Sequence, residues 1–338
     1  MRKIKHIIGL GCLLFAFGFL HAQDAVSYQT PPKDIADLLL AKPTPTVRID
    51  SKAEWMLLSE RNSYPTVEEL GQPENRIAGL RLNPNNFSPS RQAFINNFRL
   101  KNIKSNQEFT IEGLPVNLLA GNASWSPSEN KIAFTNTTGN KVDLYVIDIA
   151  AKKATRINKQ AVNTVLGLSY TWVDDNTILY KATTQSAVNA PKRPITPKGP
   201  TIQQNLGKTA PSPTFQDLIK SPYDEQLFEF YATAQLVQNK NGVETHIGKP
   251  GLLSSFALSP DKKYMMVRTL KKPFSYLVTA NGFPSTVSIN DLTGKVIKVL
   301  AELPSSEGTP SGYDNTQNVP RGFDWRDDER LRLPGPHL

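Results

Sequence analysis

The chain has one cysteine, Cys12, and four histidines in 338 residues. Cys12 falls within residues 1–22, MRKIKHIIGLGCLLFAFGFLHA, where Arg2, Lys3 and Lys5 precede an apolar run from Ile7 to Leu20 and the stretch ends on Leu20-His21-Ala22. That is the layout of a secretory signal peptide cleaved between Ala22 and Gln23, so the expected location is secreted or periplasmic. The apolar run is shorter than the roughly 20 residues a bilayer span needs, and no membrane span is expected in the mature chain. Cleavage removes the only thiol, which excludes disulfides and a cysteine nucleophile. It leaves His246 and His337, far apart in sequence, with no His, Cys and carboxylate grouping at metal-ligand spacing, so neither metal nor cofactor is expected. The net charge drops from +9 to +6 with the loss of Arg2, Lys3 and Lys5. No Lys/Arg stripe is interleaved with aromatics, so nucleic acid is not an expected partner.

Catalytic motifs are scarce as well. No G-x-S-x-G occurs, and the nearest fragments, GLSYT at Gly167 and SGYDN at Ser311, lack the second glycine that turns a strand sharply into a helix. His246 sits in NGVETHIGKP, read as a hairpin end and therefore as a solvated histidine rather than the base of a triad. There is no Gly-rich phosphate loop and no H-E-x-x-H. The pairs Asp174-Asp175 and Asp327-Asp328 fall in turns, where Asp is favoured for backbone reasons, and nothing singles out a glycosidase pair. No catalytic, cofactor-binding or metal-binding residue is assigned.

What the sequence does contain is a recurrent phrase: an apolar anchor, a polar turn, then an apolar run. It reads WSPSENKIAF from Trp125, WVDDNTILY from Trp172 and LSPDKKYMMV from Leu258, with a weaker copy, IDSKAEWMLL, from Ile49 and a fifth, WRDDERLRL, from Trp325. Pro presets φ, Asp or Asn bonds its own backbone, and β-branched and aromatic residues follow, which makes a tight turn feeding a buried strand. Further strands are expected at 141–150, 226–237, 274–280, 285–291 and 295–303, and hairpins over 148–157 and 290–300. The expected fold is all-β, an incomplete β-propeller of four-stranded antiparallel blades. The anchors lie 76, 47, 86 and 67 residues apart. Propeller periods run to about 40–45 residues, so most blades must carry long loop insertions.

Two insertions are evident. Residues 59–93 are polar and turn-rich, with a short helical stretch near Val67 to Leu70. Residues 190–213 hold six prolines and four basic residues, Lys192, Arg193, Lys198 and Lys208, with no acidic one, which reads as a solvated loop. A sharper reading makes that run a cationic arm that draws in acidic peptides. Trp125, Trp172 and Trp325 share one position of the repeat and are expected to anchor the core between adjacent blades. The expected organisation is a signal peptide (1–22), an N-terminal extension (23–48), a partial propeller (49–329) and an atypical tail (330–338).

Several longer phrases, YQTPPKDIADLLLAKPTP (28–45), ELGQPENRIAGLRLNP (69–84), PFSYLVTANGFPSTVSINDLTGKVIKVLAELPSSEG (273–308) and RGFDWRDDE (321–329), resemble the amino-terminal half of prolyl oligopeptidase family serine peptidases. The similarity is to the glutamyl endopeptidase-like subgroup of bacteria and chloroplasts. The resemblance implies a propeller that sits over an α/β-hydrolase domain and restricts its active site to peptides. In that family the serine, aspartate and histidine belong to the hydrolase domain, whose motifs this chain lacks, so no catalytic residue is carried over. The resemblance stops at Arg330, and the tail RLRLPGPHL is expected to be out of frame or the end of a truncated product. The chain alone is therefore expected to be inactive, with peptides as substrates of the full-length enzyme. The alternative is a free-standing envelope propeller that binds peptides or partner proteins.

Overall fold

The recurrent phrase of the sequence is the opening hairpin of each sheet. The computed structural model describes residues 29, 31–195, 215–309 and 317–326. The signal-peptide reading, most of the 190–213 run, the Asp327-Asp328 pair, His337 and the tail lie outside the described residues. Contacts divide the chain into Met1–Ala41 and Lys42–Leu338. In the first unit, α1 (Lys33–Leu39) exposes Ile35, Leu38 and Leu39 and carries a Lys33–Asp37 ion pair one turn apart.

The second unit is an incomplete β-propeller. Its first sheet joins β1 (Thr46–Ile49), β2 (Trp55–Glu60), β6 (Asn97–Asn102) and β7 (Glu108–Thr110). The second is β8 (Ala120–Trp125), β9 (Lys131–Thr137), β10 (Val142–Asp148) and β11 (Lys153–Arg156). The third is β12 (Tyr170–Asp174), β13 (Thr177–Thr183), β14 (Ala234–Lys240) and β15 (Val243–Gly251), and the fourth is β16 (Leu253–Leu258), β17 (Tyr264–Leu270), β18 (Ser285–Asp291) and β19 (Val296–Leu303). Every pairing within these sheets is antiparallel.

Each opening turn is closed by a polar side chain that accepts backbone N–H groups. Asp50 Oδ1 takes Glu54 N at 2.8 Å and Trp55 N at 3.0 Å, Asp174 Oδ1 takes Asn176 N at 2.7 Å, and Ser259 Oγ takes Tyr264 N at 3.0 Å. The turns also interlock. Glu129 of the second sheet accepts Ser51 N of the first at 2.9 Å, and Asp175 of the third accepts Ser128 N of the second at 3.0 Å. That hydrogen bond, more than any other contact, holds the Asp175 carboxyl below the usual carboxylate range.

Because side chains alternate across a strand, one strand serves two seams. Ile132 and Phe134 of β9 pack with Leu57, Phe98 and Leu100 of the first sheet, whereas Ala133 between them packs with Tyr170, Trp172 and Tyr180 of the third. Likewise Ile178 and Tyr180 of β13 face the second sheet, and Leu179 faces Phe256, Met265 and Val267 of the fourth. The tryptophans occupy matching places at these seams. Trp172 Nε1 donates to Ser124 Oγ at 3.2 Å, and Trp325 Nε1 to Ala257 O at 3.1 Å, each reaching the residue just before the preceding sheet's anchor.

The long intervals have one structural source. Second and third strands are joined by 61–96 in the first sheet, 184–233 in the third and 271–284 in the fourth, against 138–141 in the second. The first connection folds into more than the expected short helix, α2 (Val67–Leu70): it adds a small sheet of β3 (Asn75–Ile77), β4 (Leu80–Asn83) and β5 (Ser88–Pro89).

Three sequence expectations are corrected. The strand expected over 226–237 is helix α3 (Pro222–Ala232) followed by β14. Ser221 caps the helix by accepting Asp224 N, Pro222 sets the first turn, and Leu227, Phe228 and Tyr231 recur at helical spacing on its buried side. The segment 274–280 is not a strand, because Ser275 Oγ accepts Leu277 N at 2.9 Å and Val278 N at 3.0 Å and folds the chain on itself. His246 lies within β15 rather than at its hairpin end, since the turn is made by Asn241 and Gly242, both at positive φ.

Candidate functional site

The long connections leave the sheets at one end, where each fourth strand also crosses to the next sheet, and there they form a second layer. Its core joins Ile77, Leu82 and Phe87 of the first connection, Ile219, Leu227, Phe228 and Tyr231 of the third, Phe274, Val278 and Phe283 of the fourth, and Val165, Leu166 and Leu252 of the crossovers. Phe228 is fully buried, 5.0 Å from Phe274 and 5.4 Å from Phe283 between ring centroids, in edge-on contacts. Backbone hydrogen bonds tie the same pieces together: Gly79 N to Asp217 O at 2.9 Å, Ala280 N to Ala78 O at 2.8 Å and Thr164 N to Phe87 O at 3.0 Å. This cap is the feature most distinct from the repeat.

Beneath it, two buried side chains hold the crossovers. Asn163 Nδ2 donates to Tyr231 O at 2.8 Å while its Oδ1 accepts Val165 N at 3.0 Å. Lys181 Nζ donates to Leu166 O and to Leu253 O, bridging two crossovers, and burial lowers its ammonium to about 7.

Two concavities stand out among the described residues of the cap. The smaller, about 770 Å³, is lined by Arg76, Arg81, Phe215, Asp217, Lys220 and Tyr276. Its polar groups are largely spent on the protein itself. Arg81 Nε lies 3.0 Å from Asp217 Oδ2, and Tyr276 donates to Glu225 Oε1 at 2.6 Å, with burial first and that carboxylate second pushing the phenol up to about 12. The larger, about 1060 Å³, is a groove between α2 with its flanking loop, the segment from Ser88 to Asn96, and residues 116–119 and 137–139. Two arginines, Arg61 and Arg91, and two glutamates, Glu68 and Glu69, are in the lining, which is neutral in sum, and Arg91 Nε lies 3.1 Å from Glu74 Oε2. Asn86 fixes its floor, donating to Thr138 O at 2.9 Å and accepting Ser88 Oγ at 2.7 Å.

The residues weighed for chemistry do not converge. His246 is exposed on β15, with its Nε2 2.8 Å from Gln160 Nε2. Asp174 and Asp175 are turn residues, as expected from their place in the repeat. Gly167 of GLSYT is at φ 48°, and a Cβ there would stand 2.2 Å from Ser254 O, so this glycine serves the close approach of a crossover to β16. Among the described residues no group of three or more His, Cys, Asp or Glu is arranged to hold a metal. The groove was not foreseen. Its only trace in the sequence is the density of amides in NPNNFSPSRQAFINN (83–97), which reads as loop composition until the fold brings it against residues 116–119.

No protein-family model matches the chain. Over 324 residues, 91% of its length, it is 30% identical to a protein of Oryza sativa subsp. japonica named probable glutamyl endopeptidase, chloroplastic. Over 320 residues, 90% of its length, it is 29% identical to the protein of the same name from Arabidopsis thaliana. The chain is related to an amino-terminal part of these probable glutamyl endopeptidases. It spans about a third of these relatives, 34% and 33% of their lengths. Among solved structures, Pyrococcus horikoshii acylaminoacyl peptidase matches 78% of this chain and 33% of its own at 11% identity and a TM-score of 0.39. The β-propeller domain of the Trilobed protease from Pyrococcus furiosus matches 76% of this chain and 58% of its own at 10% identity and a TM-score of 0.36. No helix among the described residues of this glutamyl endopeptidase relative is long and apolar enough to cross a membrane.

Proposed function

We propose that the chain is the substrate-gating propeller of a secreted or periplasmic serine peptidase acting on peptides, and that alone it hydrolyses nothing. The observation that carries this reading is the alignment of 91% of the chain with a third of a probable glutamyl endopeptidase. Two features support it. The sole described histidine bonds an amide rather than a serine, and the end of the sheets that carries the long connections is built for burial and for shaping an opening rather than for proton transfer. The serine, aspartate and histidine are assigned to a hydrolase domain of the whole protein.

The test is to incubate the purified chain with a fluorogenic peptide bearing Glu before the reporter. No turnover is expected, and turnover blocked by a serine-directed phosphonate would overturn the reading. Export is checked by fractionating an expressing bacterium and sequencing the mature N-terminus. The expected start is Gln23, and a cytoplasmic chain that keeps Met1 counts against export. A second reading, a free-standing envelope module that binds peptides or partner proteins, is favoured by one observation, the open neutral groove beside α2.

A further inference from the structure

The groove beside α2 differs from the rest of the cap in what it offers a ligand. Seven side-chain amides line it, among them Asn62, Asn83, Asn86, Gln92, Asn96 and Asn117. Asn83 and Asn86 are buried and partnered within the floor, where Asn83 Oδ1 accepts Asn85 N at 3.0 Å. Asn96 donates to Asn62, and Gln92 Nε2 to Pro89 O at 2.8 Å, which leaves each with further donor and acceptor capacity. Asn117 is exposed and makes no hydrogen bond to any described residue. Beside these amides three apolar side chains stand in solvent: Val116 is 100% exposed, Tyr64 58% and Leu70 57%.

We infer that this groove binds an extended, uncharged peptide segment through its main chain. A side-chain amide carries both N–H donors and a carbonyl acceptor, so a row of them matches the alternating N–H and C=O groups of an extended backbone whatever the sequence. The lining sums to zero, with Arg61 and Arg91 against Glu68 and Glu69, and Arg91 is itself 3.1 Å from Glu74, so the groove has no net charge with which to favour an acidic or a basic partner. Tyr64, Leu70 and Val116 supply apolar contact for small or aliphatic side chains along the segment, which accounts for their exposure at one place. At about 1060 Å³ the groove reaches the upper end of small-ligand sites, and its lining sets amides and hydroxyls among apolar walls such as Phe94 and Leu118. It lies at the end of the sheets that carries the long connections and is distinct from the basic concavity around Arg76 and Arg81. The inference rests on the reading of the chain as a peptide-handling propeller and adds a place where a peptide is held before any bond is cut.

The experiment measures binding without turnover. A fluorescein-labelled decamer of Gly, Ser, Thr and Leu is titrated by fluorescence anisotropy against the purified chain, against the Tyr64→Ala/Asn117→Ala double variant and against Arg81→Gln in the other concavity. Far-ultraviolet circular dichroism on each establishes that it is folded. Saturable binding is expected, weakened about tenfold in the double variant, a loss of about 1.4 kcal/mol, and unchanged in Arg81→Gln. A decamer with three Glu and one with three Lys should bind with affinities within about threefold of each other, as a neutral site demands. Equal affinity in the double variant, no binding by the folded chain, or strong preference for one charge would overturn the inference. Because no peptide is cleaved, failure here leaves the gating role standing, and turnover by the isolated chain would overturn the gating role while leaving this site intact.

Discussion

Lys181 is buried against carbonyl oxygens, with no ion-pair partner among the described residues. Its folded value, about 7, lies below the ordinary 10.5, so between those values the unfolded chain binds the proton that the folded chain refuses. Its contribution to stability is therefore present in full above pH 10.5 and is lost as pH falls towards 7. Lys181→Met removes that dependence. The variant's melting temperature relative to the parent is expected to be highest at pH 7 and to fall steadily towards pH 10, and a difference that stays flat over this window would rule out a lowered lysine. Gly167 is constrained by space rather than by charge. Gly167→Ala places a methyl against Ser254 O at positive φ and is expected to cost roughly 1–3 kcal/mol in urea unfolding. Neither residue was singled out by the sequence for the role it has. Gly167 entered the sequence reading only in a fragment that falls short of a nucleophile elbow, and Lys181 did not enter it, because the crossovers that surround both are set by contacts far away in the chain.

Among the elements, α3 contributes most to the cap, and Phe228 is its centre. Phe228→Ala is expected to lower stability by roughly 3–5 kcal/mol, since it removes a fully buried ring from between Phe274 and Phe283. If the cap folds as its own unit, hydrogen exchange in α3 would rise while β9 stays protected, and that contrast is the measurement to make. This helix is also where local reading of the sequence fails. The opening hairpins were legible because each signals itself within ten residues: Asp50, Asp174 and Ser259 close turns on their own backbones, and alternating apolar residues follow. In QLFEFYATAQLV the aromatic residues have strand propensity, but Ser221 and Pro222 start a helix just upstream and the tertiary contacts of Phe228 keep it. FSYLVTA fails for a related reason, as one serine hydroxyl turns a strand-like string into a loop. The groove was illegible throughout, since its walls come from segments that meet only when the first and second sheets pack.

At the scale of the molecule, the seams repeat and the faces of the series differ. The first sheet presents Arg99 paired with Glu60 and Glu108, and Lys101 with Glu108, away from the second sheet. The fourth presents Met266, Val287 and Ile289, covered in part by Phe323 and Trp325. Trp325→Ala is expected to uncover this patch, increasing binding of a hydrophobic dye and giving concentration-dependent self-association by light scattering, with little change in circular dichroism. Unaltered dye binding would place the tryptophan outside the seam.

The cap acts as a binding spine. It stitches together one end of the sheets with aromatic packing and main-chain bonds, whereas at the opposite end neighbouring turns are held by surface hydrogen bonds of charged side chains, Glu129 accepting from Ser51, Asp175 from Ser128, and Lys131 donating to Asn176. A stack bound along one margin opens like a book, so thermal or mechanical strain should fan the sheets apart at the loose margin while the cap stays shut. Raised salt would loosen the pages there without touching the spine.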